Sequence, residues 1–386
     1  MKIEQQCWTT REGWEIGMLN HPDGADLRRA GQTSLVLIFG ARNILGDAEK
    51  MDQVRAFYPG APIVGCSTAG EICDTRVRDD SLVVTAVRFE HSGIKLVQTK
   101  LAEGGDSLKA GKFLADALPH ENLKHVLVLS DGLQVNGTEL ARGLRESLPA
   151  KVAVTGGLAG DSTNFKHTLV CADGVPAEGM ITALGFYGAR LKVGYGSLGG
   201  WDTFGAERLI TRSHGNVLYE LDGRSALQLY KEYLGEHANG LPATALLFPL
   251  ALRTGAAEYG LVRTVLSVDE DAQSMTFAGD MPEGGYARLM KANFDRLVEG
   301  AAGAAMAGYG MLGSSSPELA LLISCVGRKL VLKQRVEEEV ESVRRVLGPQ
   351  TVLSGFYSYG EICPHGALTQ CELHNQTMTI TTFSER

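Results

Sequence analysis

The chain has no C-x-x-C pair, no H-x-x-x-H spacing and no Walker A sequence. Its seven cysteines, Cys7, Cys66, Cys73, Cys171, Cys325, Cys363 and Cys371, are an odd number. Reduced thiols in the cytoplasm therefore fit better than a disulfide framework or a zinc ribbon. With no two histidines one helical turn apart, a preformed zinc site is not expected. No apolar run approaches the roughly 18 residues that a membrane-spanning helix needs. The opening Met1-Lys2-Ile3-Glu4-Gln5-Gln6 lacks the basic-then-apolar order of a secretory signal, so a cytosolic protein is expected. Lys and Arg form no cluster and the net charge is −8, which argues against a nucleic-acid partner. Long polar or proline-rich stretches are missing too, and with them any sign of disorder.

What remains is a glycine-rich globular composition: 44% apolar, 21% charged and 47 glycines in 386 residues, enough for two domains that each bury a core. One pattern recurs three times: an apolar strand, a helical stretch, a short second strand, and a glycine-bounded loop closing on Gly-acid or its like. The first copy runs from Leu35–Phe39 through a helix near Asp47–Phe57 to Ile63-Val64, and ends in Gly65-Cys66-Ser67-Thr68-Ala69-Gly70-Glu71-Ile72-Cys73. The second runs from Val126–Leu129 through a helix near Gly137–Ser147 to Val152–Val154, and ends in Gly156-Gly157-Leu158-Ala159-Gly160-Asp161. The third runs from Leu319–Ile323 through a helix near Leu330–Leu347 to Thr351–Leu353, and ends in Gly355-Phe356-Tyr357-Ser358-Tyr359-Gly360-Glu361-Ile362-Cys363. The first and third loops share both glycines and the closing Glu-Ile-Cys, which points to duplication.

The first strands are apolar without alternation, as strands covered on both faces are. In the third helix Val336, Val340, Val343 and Leu347 recur every three or four residues, a stripe facing a core, and Gly348-Pro349 stops it. A further strand follows each loop, at Ser81–Phe89, Met180–Tyr187 and Thr377–Phe383. The fold class is α/β, with two related domains built from duplicated β-α-β units and mixed sheets. Residues 1–27 are read as an N-terminal extension, 28–199 as the first domain, 200–217 as a connector and 218–386 as the second domain. In the second domain the pattern predicts a helix near Ser225–Leu234, strands near Ala245–Pro249, Leu261–Val268 and Ser274–Ala278, and a long helix near Tyr286–Ala307.

Ligands of open α/β sheets bind beyond the carboxyl ends of strands, where these loops lie. Small residues allow close approach, and a carboxylate can anchor an amine, a water or a neighbouring loop. Glu71, Asp161 and Glu361 can equally well hold their own turns by accepting backbone N–H groups. A shared cleft lined by the three loops is the sharper expectation. Gly194–Gly199 and Gly308–Gly313 both match G-x-G-x-x-G, but neither stands between a strand and a helix, as a dinucleotide site requires. Ser67 lacks the G-x-S-x-G of a nucleophile elbow. A hydrolase using Ser67 or Cys66 remains an alternative, since a histidine partner would meet either one only in space. A haem needs one histidine and an apolar pocket, and His365, directly after the third loop, is the first candidate, with His374 and His214 behind it.

The loops also carry a family resemblance. Val64–Ile72 resembles the signature of the N-terminal FIST domain, and Thr155–Asp161 that domain's second loop. Leu218–Ala226, Ser324–Arg328, Gly355–Glu361 and His374–Thr377 resemble the C-terminal FIST domain, so that the resemblance covers about residues 28–384. FIST domains occur in bacterial signalling proteins, often fused to histidine kinases, cyclases or chemoreceptor parts. The resemblance implies a sensor of small ligands and not an enzyme. With no room for an output domain, the signal is expected to pass to a separate partner such as a histidine kinase, with a homodimer also open. Stand-alone members include the NosP group of haem-binding nitric oxide sensors in two-component systems, which makes haem the expected cofactor. A sensor of amino acids or similar metabolites is the alternative, with a Gly-acid loop holding the amine and Arg328 the carboxylate. The candidate ligand-binding residues are Cys66, Ser67, Thr68, Glu71, Asp161, Arg328, Tyr357, Tyr359, Glu361 and Asn375.

Overall fold

Each of the three apolar runs forms a strand buried along its length, and each pairs in parallel with the second strand of its own unit. The pairs are Leu35–Gly40 with Ile63–Ser67, Leu123–Ser130 with Ala153–Leu158, and Leu319–Cys325 with Val352–Ser358. The computed structural model describes every residue except 21–26, 102–103, 174, 254–259, 365–370 and 386. The helices Ala48–Phe57 and Gly137–Ser147 make the first two crossovers where expected. Asp47 and Asn136 cap them, each accepting a backbone N–H of the first turn. The third crossover is not one helix. Lys333 takes the left-handed conformation (φ 52°) and breaks it into Val326–Leu332 and Val336–Leu347.

A closing strand lies antiparallel on the other side of each first strand: Ser81–Arg88, Met180–Tyr187 and Met378–Ser384. The remaining edge is filled from outside the unit. Val170–Ala172, from the second unit, pairs with Ile63–Ser67 of the first. Gly360–Pro364, from the third, pairs with Ala153–Leu158 of the second. Glu71–Cys73, from the first, pairs with Val352–Ser358 of the third. The exchange is cyclic and gives a pseudo-threefold ring of three six-stranded mixed sheets. Their inner faces meet in one core, where Leu37 and Phe39, Leu127 and Leu129, and Leu321 and Ile323 pack together. Burying each such side chain is worth roughly 1.5–3 kcal/mol. The strand exchange also answers how the two expected halves join: sheets two and three each contain strands from both.

The end of the first expected half reaches into the third sheet. Lys192–Leu198 pairs with the last strand, Met378–Ser384, and completes the third sheet. The helix Phe294–Met311 packs on it so closely that a Cβ on Gly194 would lie 1.9 Å from the Gly308 carbonyl oxygen. Between these two elements, Asp202–Lys291 forms a separate nine-stranded antiparallel layer with its own core around Ile210, Leu218, Tyr230 and Phe277. Its helix Ala226–Leu234 and strands Leu261–Arg263, Val265–Asp269 and Ser274–Phe277 match expectation. Two expectations fail in this region. Ala243–Leu247 is a 3-10 turn, and the strand begins only at Leu250. Tyr286–Lys291 is a strand and the helix starts at Phe294. Tyr-Ala-Arg-Leu-Met alternates inward at Ala287 and Leu289, and Asn293 caps the helix with its Oδ1 on the Arg296 N–H. The two G-x-G-x-x-G matches lie in the edge strand Lys192–Leu198 and at the end of the helix Phe294–Met311.

Candidate functional site

The strand exchange brings the three loops together on the pseudo-threefold axis. Ala69 N donates to Tyr357 O (2.8 Å), Tyr359 N to Leu158 O (3.1 Å) and Gly160 N to Ser67 O (2.9 Å), a closed ring of one bond per pair of units. The ring aligns Ala69, Gly160 and Tyr359. Asp161 thus stands where the other units have Gly70 and Gly360, and Ser162 is the counterpart of Glu71 and Glu361.

The two glutamates are buried and tied to their own units. Glu71 accepts the Thr68 hydroxyl, Ser81 N (3.2 Å) and Ser81 Oγ (2.7 Å). Glu361 accepts Ser358 Oγ (2.7 Å), Thr377 N (3.2 Å) and Thr377 Oγ1 (2.9 Å). Burial pushes the carboxyl of Glu71 up to about 7 and that of Glu361 to about 8, against the lowering pull of these hydroxyls. In the second unit Asp131 does comparable work, accepting the N–H groups of Leu133, Gln134 and Gly179.

The other sequence-predicted residues fall into two groups. Ser67 is fully buried, its Oγ donating to Gly160 O (2.7 Å) and accepting from Leu169 N (2.8 Å). Cys66 is buried next to it, and burial raises its thiol well above the ordinary value. Arg328 is fully buried against Glu339 (2.7 Å) and also donates to Leu297 O (2.7 Å) and Gly199 O. The other oxygen of Glu339 takes the Tyr357 hydroxyl at 2.6 Å. Asn375 is fully buried, donating to His374 O with its Oδ1 unpaired. None of these, nor Glu71 or Glu361, lines a cavity described below. Thr68, Asp161 and Tyr359 do.

Of the three histidines, His365 lies outside the described residues. His374 is buried with Nε2 3.1 Å from Cys363 O, and His214 is exposed at the end of the strand Arg208–His214 of the inserted layer.

The open space near the axis lies where the second and third units meet the inserted layer. A cavity of about 360 Å³ is lined by Gly132–Gly137 beyond the strand Leu123–Ser130, by Cys325–Gly327 beyond Leu319–Cys325, by Tyr359, and from the layer by Asn216, Thr264 and Phe277. A second, of about 770 Å³, opens beside it. The two share Leu133, Phe165, Leu246 and Leu266. Phe165 lies flat on Tyr359, ring centres 4.5 Å apart, and the Tyr359 hydroxyl bridges Ser162 O and Phe165 N. Leu133, Phe165 and Leu266 are 41%, 43% and 47% exposed, so three large apolar side chains face this one cleft. Sequence reasoning singled out none of them. The available signals were Leu133 and Phe165, large apolar residues in the loop segments 131–136 and 161–167. A third hollow of about 340 Å³, between the first two units, is polar: Arg42 and Asp161 face each other across it at 3.7 Å.

No described histidine lines the two joined chambers.

The FIST N domain matches residues 34–224, and the FIST C domain matches residues 226–364. The chain belongs to the FIST family. Membership makes it a signal-transduction sensor that binds small ligands. No curated protein matches the chain at a significant level. Among solved structures, a cyanuric acid hydrolase from A. caulinodans aligns over 76% of this chain and 99% of its own, at 13% identity and a TM-score of 0.18, which is too low to carry any argument. No helix among the described residues of this FIST protein is long and apolar enough to cross a membrane.

Proposed function

We propose that the FIST ligand site of this protein is the two-chambered cleft between the three-loop hub and the inserted layer. The observation that carries this reading is the convergence of half-exposed Leu133, Phe165 and Leu266 on cavities of about 360 and 770 Å³. That is the size and largely apolar lining of small-molecule sites. The walls come from separate bodies, the hub and the layer, each with its own core. A ligand held by both favours one seating of the layer over another in proportion to its affinity difference for the two. That difference reaches a separate partner, such as a histidine kinase, as a changed surface. The protein acts by binding, without turnover: Ser67 and Cys66, the two candidate nucleophiles, are buried in the hub away from the cleft.

Thermal unfolding in the presence of small-molecule ligands tests the site. A ligand of the cleft raises the melting temperature by mass action, and Phe165→Ala abolishes the rise. A rise unaffected by Phe165→Ala and Leu266→Asp would place the ligand elsewhere.

Haem, with nitric oxide as the sensed gas, is a second reading, supported by the size and apolar lining of the chambers. His374 and His214 do not fit as its ligands, since one is engaged inside its hairpin and the other faces solvent. His365 is the candidate left, and a Soret band lost in His365→Ala tests it. For amino acids, Arg328 is a poor anchor because Glu339 already holds it. Asp161 is the one carboxylate of the three Gly-acid loops that lines a cavity, and it is paired there with Arg42.

A further inference from the structure

Two of the seven cysteines form a pair that the fold assembles from distant parts of the chain. Cys7 lies on the strand Lys2–Thr9 of the first sheet, between the closing strand Ser81–Arg88 and the edge strand Gly13–Leu19. Cys73 ends Glu71–Cys73, the strand that the first unit lends to the third sheet. The two pack together with Val83 in a small cluster of their own, where these sheets meet. Gln5, on the same face of its strand as Cys7, accepts the Cys73 thiol at 3.5 Å and donates to Leu353 O of the third sheet (2.9 Å). The two thiols thus stand side by side across a sheet boundary.

Their surroundings differ from those of the other cysteines. Burial raises the thiols of Cys66, Cys325, Cys363 and Cys371. The Cys7 thiol is instead lowered, first by its hydrogen bond with Cys73, and further by the Arg78 guanidinium, against burial, Glu71 and Glu15. The same bond and burial hold the Cys73 thiol up. The pair is also close to the surface. Gly17 on the edge strand is exposed, and a Cβ there would lie 3.1 Å from Cys73 Sγ. Backbone without a side chain covers the sulfur on that side. The edge strand's pairing shifts register between Glu4 and Gln6, and local opening needs less free energy than global unfolding.

We infer that Cys7 and Cys73 are a reversible two-thiol redox site that takes a hydroperoxide and closes to a disulfide between the first sheet and the exchanged strand. The Cys7 thiolate attacks one peroxide oxygen, the O–O bond breaks, and the other oxygen leaves as hydroxide, which the Cys7 proton turns into water. The Cys73 sulfur then attacks the Cys7 sulfenic acid. The S–S bond forms, the S–O bond breaks, and the hydroxyl leaves with the Cys73 proton as a second water. Two thiols and one hydrogen peroxide give a disulfide and two waters, the sulfurs losing two electrons and the peroxide gaining them. A low thiol beside a resolving cysteine is the arrangement of redox sensors. Glu71, two residues before Cys73 on the same strand, carries the bridge's effect to the hub.

Hydrogen peroxide added to the reduced full chain tests this. Thiols counted in denaturant are expected to fall from seven to five, a loss of two, and dithiothreitol to restore them. Trypsin is expected to release peptides 3–11 and 56–76 joined, with fragmentation placing the bridge at Cys73 and not at Cys66. That map is made on the parent and needs no variant. Cys73→Ala is expected to lose one thiol only, with Cys7 trapped as its sulfenic acid by dimedone. Arg78→Gln is expected to slow the reaction roughly two- to fivefold, the worth of one partly exposed charge contact. Seven thiols surviving a large excess of peroxide would overturn the site, as would a bridge between Cys66 and Cys171 or between Cys363 and Cys371 in its place. Dimedone on Cys73 in Cys7→Ala, with none on Cys7 in Cys73→Ala, would overturn Cys7 as the attacking thiol.

Discussion

Glu71 and Glu361 hold the same place in the first and third units. Each carboxylate takes the hydroxyl three residues before it, from Thr68 or Ser358, and both the N–H and the hydroxyl of the residue that leads into the closing strand, Ser81 or Thr377. The match extends the duplication from the loop sequence to its hydrogen bonds. It also gives these two carboxylates a structural task, holding the strand ends at the hub.

Their burial makes stability depend on pH. Both carboxyls are raised in the folded chain, to about 7 and about 8, from an ordinary 4.5. Below about pH 4.5 both states hold the proton and neither group contributes. As pH rises, the unfolded chain releases the proton first, so the fold loses stability until the folded pKa is passed. Glu71→Gln keeps acceptors for Ser81 and removes the ionisation. Its melting temperature is expected to gain on the parent between about pH 5 and 7, and that of Glu361→Gln to keep gaining to about pH 8. A difference from the parent that stays constant with pH would contradict the assignment.

The ring at the axis leaves no room at Gly160. A Cβ there would lie 2.8 Å from Ala69 N and 3.0 Å from the Thr68 carbonyl carbon, both backbone atoms that cannot turn aside. Gly160→Ala is expected to cost about 1–3 kcal/mol in denaturant unfolding. Gly310→Ala is the control: nothing lies within 4 Å of its added Cβ, and it sits in the helix Phe294–Met311. That change is expected to stabilise by about 0.5–1 kcal/mol.

Arg328 and Glu339, both fully buried, tie the third crossover to the hub through Tyr357. Arg328→Met leaves a buried carboxylate without its partner and is expected to cost about 3–5 kcal/mol in unfolding free energy. Affinity of the fluorescent apolar probe N-phenyl-1-naphthylamine for the cleft, measured well below the lowered melting point, is expected to stay at the parent's value. Loss of binding without loss of stability would instead make Arg328 a ligand anchor.

Much of this architecture could be read from local pattern. Leu35–Phe39, Val126–Leu129 and Leu319–Ile323 are apolar without alternation, and each became a central strand. The helix Gly137–Ser147 lies where expected because a polar cap and an amphipathic stripe act within a few residues of each other. Reading failed where two local signals overlapped. The Ala- and Gly-rich helix drew Tyr286–Lys291 into itself, although that segment alternates, and the left-handed Lys333 inside a continuous apolar stripe left no mark on the pattern.

The residues of the loops were legible for what they are, and their burial was not. Glu71, Glu361, Ser67 and Arg328 are polar groups in glycine-framed segments, which is how a binding loop reads. Only the placement of Ser81, Thr377, Gly160 and Glu339 shows that their hydrogen bonds are already taken within the fold.

By itself the sequence determined the repeated unit, its strands and its loops, because backbone propensity and hydrophobic period are properties of a few neighbouring residues. The tertiary structure alone decided that Glu71–Cys73 pairs with Val352–Ser358, since a three-residue strand carries too little pattern to name a partner or a register. It likewise decided the cleft, whose walls at Leu133, Phe165, Thr264 and Leu266 come from segments far apart in the chain and become a surface only when the layer closes on the ring.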